Sequence, residues 1–435
     1  MKVTRGMLRR TAKLARRSEL VSRDALVVAV DLGKKQSVVM LVRAADKARL
    51  GTMRIPTNRA GVLELVRRAR RIQERHHLPR LLLGMEATSH FWKVVAKSAD
   101  ELGIPYVTVQ SFALARAREF DDLTRDKTDQ RDAGLIGDLV CDLHFNEAQL
   151  ERGPWAELRL LAEARQDRLV ERGAAMQEQR ALLELTWPAL LEQVPDLAGT
   201  HLQAMLRLGL TPLEIAALPP AEFSAGLKQE HQPRRFLRWM AARIWEAAGA
   251  ATASDELSAA ALRWQQGAQR IQAAEQAVTA LDARMLSAFE STGLGWMRGQ
   301  LRGLGDVLLV NLFALIGDIQ RFDDARCLPK LAGSNPTERS SGELQAAGGI
   351  HRRGRPTLRV LAYQAAVCLV RHHPDFQGRF MALTTRAHHP LVKQQAYIAV
   401  ANKLLRTLWA MATSGMPYSS AMANGLHIEE VVAAA

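Results

Sequence analysis

Cysteine is scarce: Cys141, Cys327 and Cys368 are the only three in 435 residues, and no two form a Cys-x-x-Cys pair. That excludes a disulfide framework and a zinc finger, and it fits a reducing cytoplasm. Long apolar runs are missing too. None approaches the roughly 20 residues that a spanning helix needs, so no membrane partner is expected. The start of the chain is basic, with no apolar stretch before Arg23, and does not read as a signal peptide. Acidic residues are in deficit. Forty-five Asp and Glu face 59 Lys and Arg, a formal net charge of +14. An excess of that size draws polyanions at long range, which points to nucleic acid. What is present in ordinary measure is core material: 48% hydrophobic and 24% charged residues suit a globular chain of two or three domains.

The chain changes character along its length. Residues 1–24 are rich in Lys and Arg and form either a short basic helix or a tail. Residues 25–148 read as α/β. Ala25–Leu32, Ser37–Arg43 and Leu50–Ile55 are three adjacent strands. Asn58 then offers a helix start, Arg80–Glu86 and Tyr106–Val109 are further strands, and a last helix begins near Lys127. Residues 149–295 read as helical, with almost no strand signal. Leu257, Trp264, Ile271, Val278 and Met285 recur every seven residues, and Glu275 and Asp282 interrupt the companion positions. A weaker seam from Ala162 to Leu190 carries Arg165 and Arg172 at its own companion positions. Two readings of this region stand: a helical hairpin inside one subunit, or an arm that dimerises or lies along nucleic acid. Residues 296–413 form a third, mostly helical segment. A Gly-x-Gly turn leads into an apolar helix, Asn335–Arg355 reads as a long basic loop, and two helices follow. Residues 414–435 read as a loose tail.

Four carboxylates stand out by position. Asp31 and Glu86 each end an apolar strand, and Asp129 and Asp132 lie three apart at the start of a helix, on one face of it. Strand-end acids are commonly solvated caps. Two of them plus an i,i+3 pair in one α/β unit can instead converge at the carboxyl edge of a sheet. Converging carboxylates repel one another unless a hard cation lies between them, and oxygen ligands suit Mg²⁺, with Mn²⁺ as a substitute.

These residues also carry a resemblance. Asp31 after VVAVD, Glu86 in GMEATS, and Asp129 and Asp132 in KTDQRDA resemble the DEDD set of a RuvC-like transposase domain. RGLGDVLLVNLFALIGDIQRF, LPKLAGSNPTERSSG and RRGRPTLRVLAYQAA resemble the second domain of the same family, the insertion-sequence group numbered one hundred and ten, which includes the Piv DNA invertases. The resemblance runs from about residue 25 to residue 412, with the helical middle matched in general character only. It implies an RNase H-like (RuvC-like) N-terminal domain, a coiled-coil middle, and a mostly helical C-terminal domain with a catalytic-serine loop. It implies a transposase or recombinase that cuts and rejoins DNA through a phosphoserine intermediate, with Mg²⁺ on the four carboxylates. A homo-oligomer, dimer or tetramer, and a bridge RNA that pairs with donor and target DNA are implied as partners. The location implied is the prokaryotic cytoplasm, at the nucleoid.

The implied nucleophile maps to Ser341, before Gly342, with Ser340 as an adjacent competitor. Relatives carry a basic stretch directly after the Ser-Gly. Here Glu343–Ala347 comes first, and Arg352, Arg353 and Arg355 follow as candidate phosphate clamps, with Arg165, Arg168 and Arg172 as further nucleic-acid contacts. His372-His373 and His388-His389 lack a second ligand pair at metal spacing and read as surface or helix-end histidines. The alternatives are an RNA-free invertase, a RuvC-like nuclease, or an inactive binding relative. The last would be marked by a missing carboxylate or serine, and all five are present.

Overall fold

The computed structural model describes residues 5–87, 90–122, 128–147, 150–231, 235–337, 339–341, 344–346 and 349–420. The chain divides into two compact units, Met1–Leu150 and Glu151–Ala435.

The first unit opens with a helix, α1 (Arg5–Leu20). Arg17 ties it down by donating to the carbonyls of Leu143 (2.8 Å) and Phe145. The sheet follows: β1 (Ala25–Asp31), β2 (Gln36–Arg43), β3 (Arg49–Pro56), α2 (Arg59–His76), β4 (Arg80–Glu86), α3 (Phe91–Glu101), β5 (Tyr106–Val109), α4 (Ser111–Asp122) and α5 (Asp129–Cys141). Its order is β3-β2-β1-β4-β5. The first three strands form an antiparallel meander, and β4 and β5 join it in parallel. Helix α2 starts where Asn58 caps it, its side chain accepting from Gly61 N at 2.9 Å.

Strand β1 is apolar on both faces because both faces are covered. Leu26, Val28 and Val30 pack with Val62, Leu65 and Val95 of α2 and α3, while Val27 and Ala29 pack with Ile136 and Val140 of α5. Helix α5 lies tight on the sheet. A Cβ at Gly84 would stand 2.7 Å from Val140, and one at Gly137 2.7 Å from Val42. The C-terminal half of α5 is pinned near the β2–β3 turn by Lys47–Asp142 (2.7 Å) and Arg49–Asp138 (2.5 Å). That turn lies beside the start of β1, so α5 runs back along β1 and its first turn stands at the carboxyl edge. Helix α4 has no counterpart in the sequence reading. Phe112 and Phe120 are exposed on it, so its apolar periodicity is weak.

Among its described residues the second unit is mostly helical, with one pair of short strands. Helix α6 (Pro154–Thr186) leads through α7 (Pro188–Gln193), α8 (Thr200–Leu208), α9 (Pro212–Ala217), α10 (Pro220–Glu230) and α11 (Arg238–Gly249) to α12 (Leu257–Glu290). Helices α6 and α12 form an antiparallel hairpin within the chain, the intramolecular reading of the two seams. The interruptions complement one another across it: Arg165 meets Asp282 (2.5 Å) and Arg172 meets Glu275 (2.8 Å). The short helices close one end around Trp187, Phe223 and Trp264, with Trp187 Nε1 donating to the Ala247 carbonyl at 3.0 Å.

Then come α13 (Asp306–Ile316), α14 (Cys327–Ala332), β6 (Arg339–Ser341), β7 (Leu344–Ala346), α15 (Pro356–His372), α16 (Pro374–Thr385) and α17 (Lys393–Ser414). The Gly-x-Gly turn before α13 serves packing. Gly303 has φ +90°, and a Cβ there would stand 2.6 Å from His372 of α15. Among the described residues no helix is long and apolar enough to cross a membrane.

Candidate active site

Asp31 and Glu86 end neighbouring parallel strands. The register pairs Ala29 with Gly84 and Val30 with Met85, so the two acids come next, side by side. Side chains alternate along a strand. Ala29 and Gly84 face α5, and therefore so do Asp31 and Glu86. Asp31 is half-buried and Glu86 is 9% exposed.

The first turn of α5 meets the same edge. Thr128 caps it, its Oγ1 accepting from Arg131 N at 3.2 Å. Asp129 is exposed, whereas Asp132 is 1% exposed. Acids here are favoured by the positive end of the helix dipole. Asp132 precedes Ile136, which packs over Gly84, by one turn. One turn of helix and two strand residues rise by similar amounts, so Asp132 stands near the level of Glu86.

Asp132 has a partner that sequence reading missed. Arg118 Nε, from α4, donates to its Oδ1 at 2.6 Å. A second pair, Arg131 with Asp121 (2.9 Å), also joins α4 to α5. The signal available in the sequence was the i,i+3 pair Leu114 and Ala117 on a segment after a strand, too weak to place an arginine. Among the described residues no three Asp, Glu, His or Cys side chains are gathered closely enough to hold a metal. The donor set nevertheless fits a hard divalent cation. It is oxygen only, on one face of one sheet edge. In this state the Arg118 guanidinium supplies the positive charge beside Asp132. Arg118→Gln should therefore lower stability by about 2 kcal/mol, because a buried carboxylate loses its charged donor. Faster hydrogen exchange in α4 and α5 would register the loss, and unchanged protection would contradict it.

Within Asn335–Arg355, expected as a loop, the described residues form two short paired strands above a bonded stem. Strands β6 and β7 pair Ser340 with Gln345 and Ser341 with Leu344, so Ser341 is the last residue of its strand. Below them Pro336 bridges Ile350, and Thr337 N donates to the Gly349 carbonyl at 2.9 Å. Arg352 N donates to the Gly333 carbonyl (2.9 Å), and Arg355 N to that of Leu331 (2.7 Å). Asn402 of α17 fixes the base. Its Nδ2 donates to the Ser334 carbonyl at 3.0 Å, and its Oδ1 accepts from Ser334 Oγ at 2.5 Å, both residues being buried.

The fold gives several candidate phosphate contacts other work. Arg355 is not at the surface. It donates to the Leu315 carbonyl at the end of α13, as Arg159 does at 3.0 Å, and Arg321 donates to that of Ile316 at 3.0 Å. Three guanidiniums thus meet the negative end of one helix, and Glu151 joins them through Arg159 at 2.6 and 2.9 Å. Burial, with the charge of Arg159, pulls the Arg355 guanidinium down to about 10. Arg165 and Arg172 meet Asp282 and Glu275, and Arg168 meets Glu171 (2.8 Å) on its own helix. Arg352 and Arg353 remain exposed on the hairpin stem, Arg352 with φ +55°.

Two family models match. The model of the IS110-type DEDD transposase covers residues 28–188, from β1 to the end of α6. The model described as the transposase IS116/IS110/IS902 family covers residues 299–380, including the hairpin. Over both matched regions the chain is similar to the IS110 family of transposases. Among similar proteins, the mini-circle putative transposase for IS117 of Streptomyces coelicolor is 29% identical over 257 residues, 55% of this chain and 60% of that one. That alignment thus spans less than two thirds of the relative. The insertion element IS116 uncharacterized 44.8 kDa protein of Streptomyces clavuligerus is 27% identical over 395 residues, 89% of this chain and 94% of that one. The transposase for insertion sequence element IS1111A of Coxiella burnetii is 29% identical over 116 residues, 27% of this chain and 32% of that one. Transposases move DNA segments by cutting and rejoining strands, and the carboxylate edge and the serine hairpin each lie within a matched region.

Proposed function

We propose that this transposase exchanges DNA strands using a RuvC-like carboxylate site in its first unit and Ser341 as nucleophile in its second. The observation that carries the reading is the placement of Asp31 and Glu86 at adjacent strand ends, with the first turn of α5 at the same edge and on the same face of the sheet. The order β3-β2-β1-β4-β5, a meander joined by parallel strands, supports an RNase H-like domain.

Asp31, Glu86, Asp129 and Asp132 would hold Mg²⁺, or Mn²⁺ in its place. Such an ion, when bound, neutralises charge on a phosphodiester oxygen. The Ser341 Oγ attacks phosphorus and loses its proton. A serine–phosphate bond forms, the bond to one DNA oxygen breaks, and that strand leaves as an alcohol. A hydroxyl of the second DNA then attacks the phosphoserine and frees the serine. Arg352 and Arg353 on the stem would contact backbone phosphates. Likeness to this family further supports a bridge RNA whose pairing sets the site, as in other guided systems. It also supports a dimer or tetramer working at the nucleoid.

A nicked suicide duplex tests this. Incubated with Mg²⁺, the chain should become covalently attached to a DNA end, seen as a shifted band on a denaturing gel. Ser341→Ala should lose the band and keep DNA binding, and Ser340→Ala should keep both. Free 3′-hydroxyl and 5′-phosphate ends with no adduct, made equally by Ser341→Ala, would replace this reading with a RuvC-like nuclease. Sequencing of copurified RNA separates the guided reading from an RNA-free invertase.

A further inference from the structure

Segment 356–414, comprising α15, α16 and α17, carries seven Lys and Arg and a single acidic residue, Asp375. Three of those cations sit together. Arg379 of α16 and Lys403 and Arg406 of α17 lie within electrostatic reach of one another, each pair included. The helices are locked side by side. The rings of Phe380 and Tyr397 stand 4.6 Å apart, and Leu391 N donates to the Leu383 carbonyl at 3.0 Å. Arg379 and Arg406 are exposed, and Lys403 is half-buried between turns of the core.

This triad is unlike the other basic clusters of the unit. Elsewhere guanidiniums meet carboxylates, as at Arg165–Asp282, or helix-end carbonyls, as at Leu315. Neither α14, α15 nor α17 contributes an acid near the triad. Asp375, one turn before Arg379, is turned away. It accepts from Tyr418 Oη (2.7 Å) and Ser420 Oγ (2.8 Å). Among the described residues none of the three meets a carboxylate, and like charges held together raise the free energy of the bare protein, which an anion would relieve. Burial first, and then the charges of Arg379 and Arg406, lower the Lys403 ammonium to about 8.

We propose that Arg379, Lys403 and Arg406 form a phosphodiester-binding site that holds the backbone of a nucleic acid. This rests on the reading of the chain as an enzyme acting on nucleic acid, and extends it to residues outside the sequence expectations. Lys403 and Arg406 also lie beyond the family match at 299–380. The position is useful because Lys403 follows Asn402, the residue that anchors the serine hairpin. A backbone gripped by α17 is gripped by the element that fixes the hairpin base.

The test compares the full chain with the triple variant Arg379→Gln, Lys403→Gln, Arg406→Gln. A control removes the same charge from three exposed arginines of the same unit, as Arg235→Gln, Arg238→Gln, Arg263→Gln. Anisotropy of a labelled DNA duplex and of an RNA hairpin is titrated across salt concentrations. If the triad neutralises two to three phosphates, the log–log salt slope of its variant should become shallower by about 2 to 3 on a DNA duplex, and by somewhat less on RNA. Affinity should fall roughly tenfold or more. The polymer that shows the change is the one held. A control that changes as much, or a triad variant that binds both polymers like the parent, would overturn the site while leaving the transposase reading intact. A parent that binds neither would overturn both. As a second readout, Lys403→Met should melt at a higher temperature than the parent, because repulsion is removed. A lower melting temperature would mark a structural lysine and overturn the proposal.

Discussion

Asp31→Ala, Glu86→Ala and Asp132→Ala are each expected to reduce strand exchange by at least about a thousandfold, or about 4 kcal/mol of transition-state stabilisation. The three carboxylates lie at one edge and on one face of the sheet, so in the proposed mechanism each variant removes part of one metal-binding set. Asp129→Ala should cost less, because Asp129 is exposed while Asp132 is 1% exposed. A plasmid recombination assay with Mg²⁺ and with chelator measures the effect. Circular dichroism of each variant checks that the sheet persists. Asp31→Ala and Glu86→Ala should keep it, since these acids lie at strand ends. Asp132→Ala leaves Arg118 unpaired and should loosen α4. Near-parental exchange by any of the three would show that the edge is not the reacting centre.

The second large effect concerns stability. Glu151→Gln should destabilise the second unit by about 3–5 kcal/mol, because it leaves buried guanidiniums without their carboxylate. Glu151 and Arg159 retain only 16% and 10% of their side-chain exposure, so solvent screens this pair weakly. Burial alone would raise the Glu151 carboxyl. The hydrogen bonds from Arg159 and the charges of Arg159, Arg355 and Arg321 outweigh it and hold the group below its ordinary 4.5. A depressed folded value stabilises the fold fully above the ordinary value, and that stability is lost as pH falls through the folded one. Urea unfolding at neutral pH should show the loss in the variant. In acid the parent should lose stability faster than Glu151→Gln does, so the two curves converge. Parallel curves would mean that Glu151 is not the titrating partner. The cluster also secures the hairpin, since Arg355 closes its stem at Leu331.

The five strands and the acids at their ends were legible in the chain itself. Short apolar β-branched runs punctuated by Gly, Pro and Asn state their own structure locally, and strand-end position is a local property. The seven-residue seam was legible for the same reason. Helices α4 and α16, like the short α14, were not, because exposed or irregular side chains blur their periodicity. They carry Arg118 and Arg379, and so the partner of Asp132 and one arm of the cationic triad went with them.

Sequence by itself determined which residue types were available: strand-end carboxylates, a serine before a glycine, and an excess of arginine. Only the tertiary structure decided what each arginine does. Arg165 and Asp282 are 117 residues apart, and Arg355 and Leu315 are 40 apart. No local pattern encodes such pairs, because a charge is neutralised by whatever the fold brings within a few ångströms. The arginines most conspicuous in the sequence are largely paired or buried within their own unit. Arg379, Lys403 and Arg406, which meet no carboxylate among the described residues, become neighbours only when α16 packs on α17.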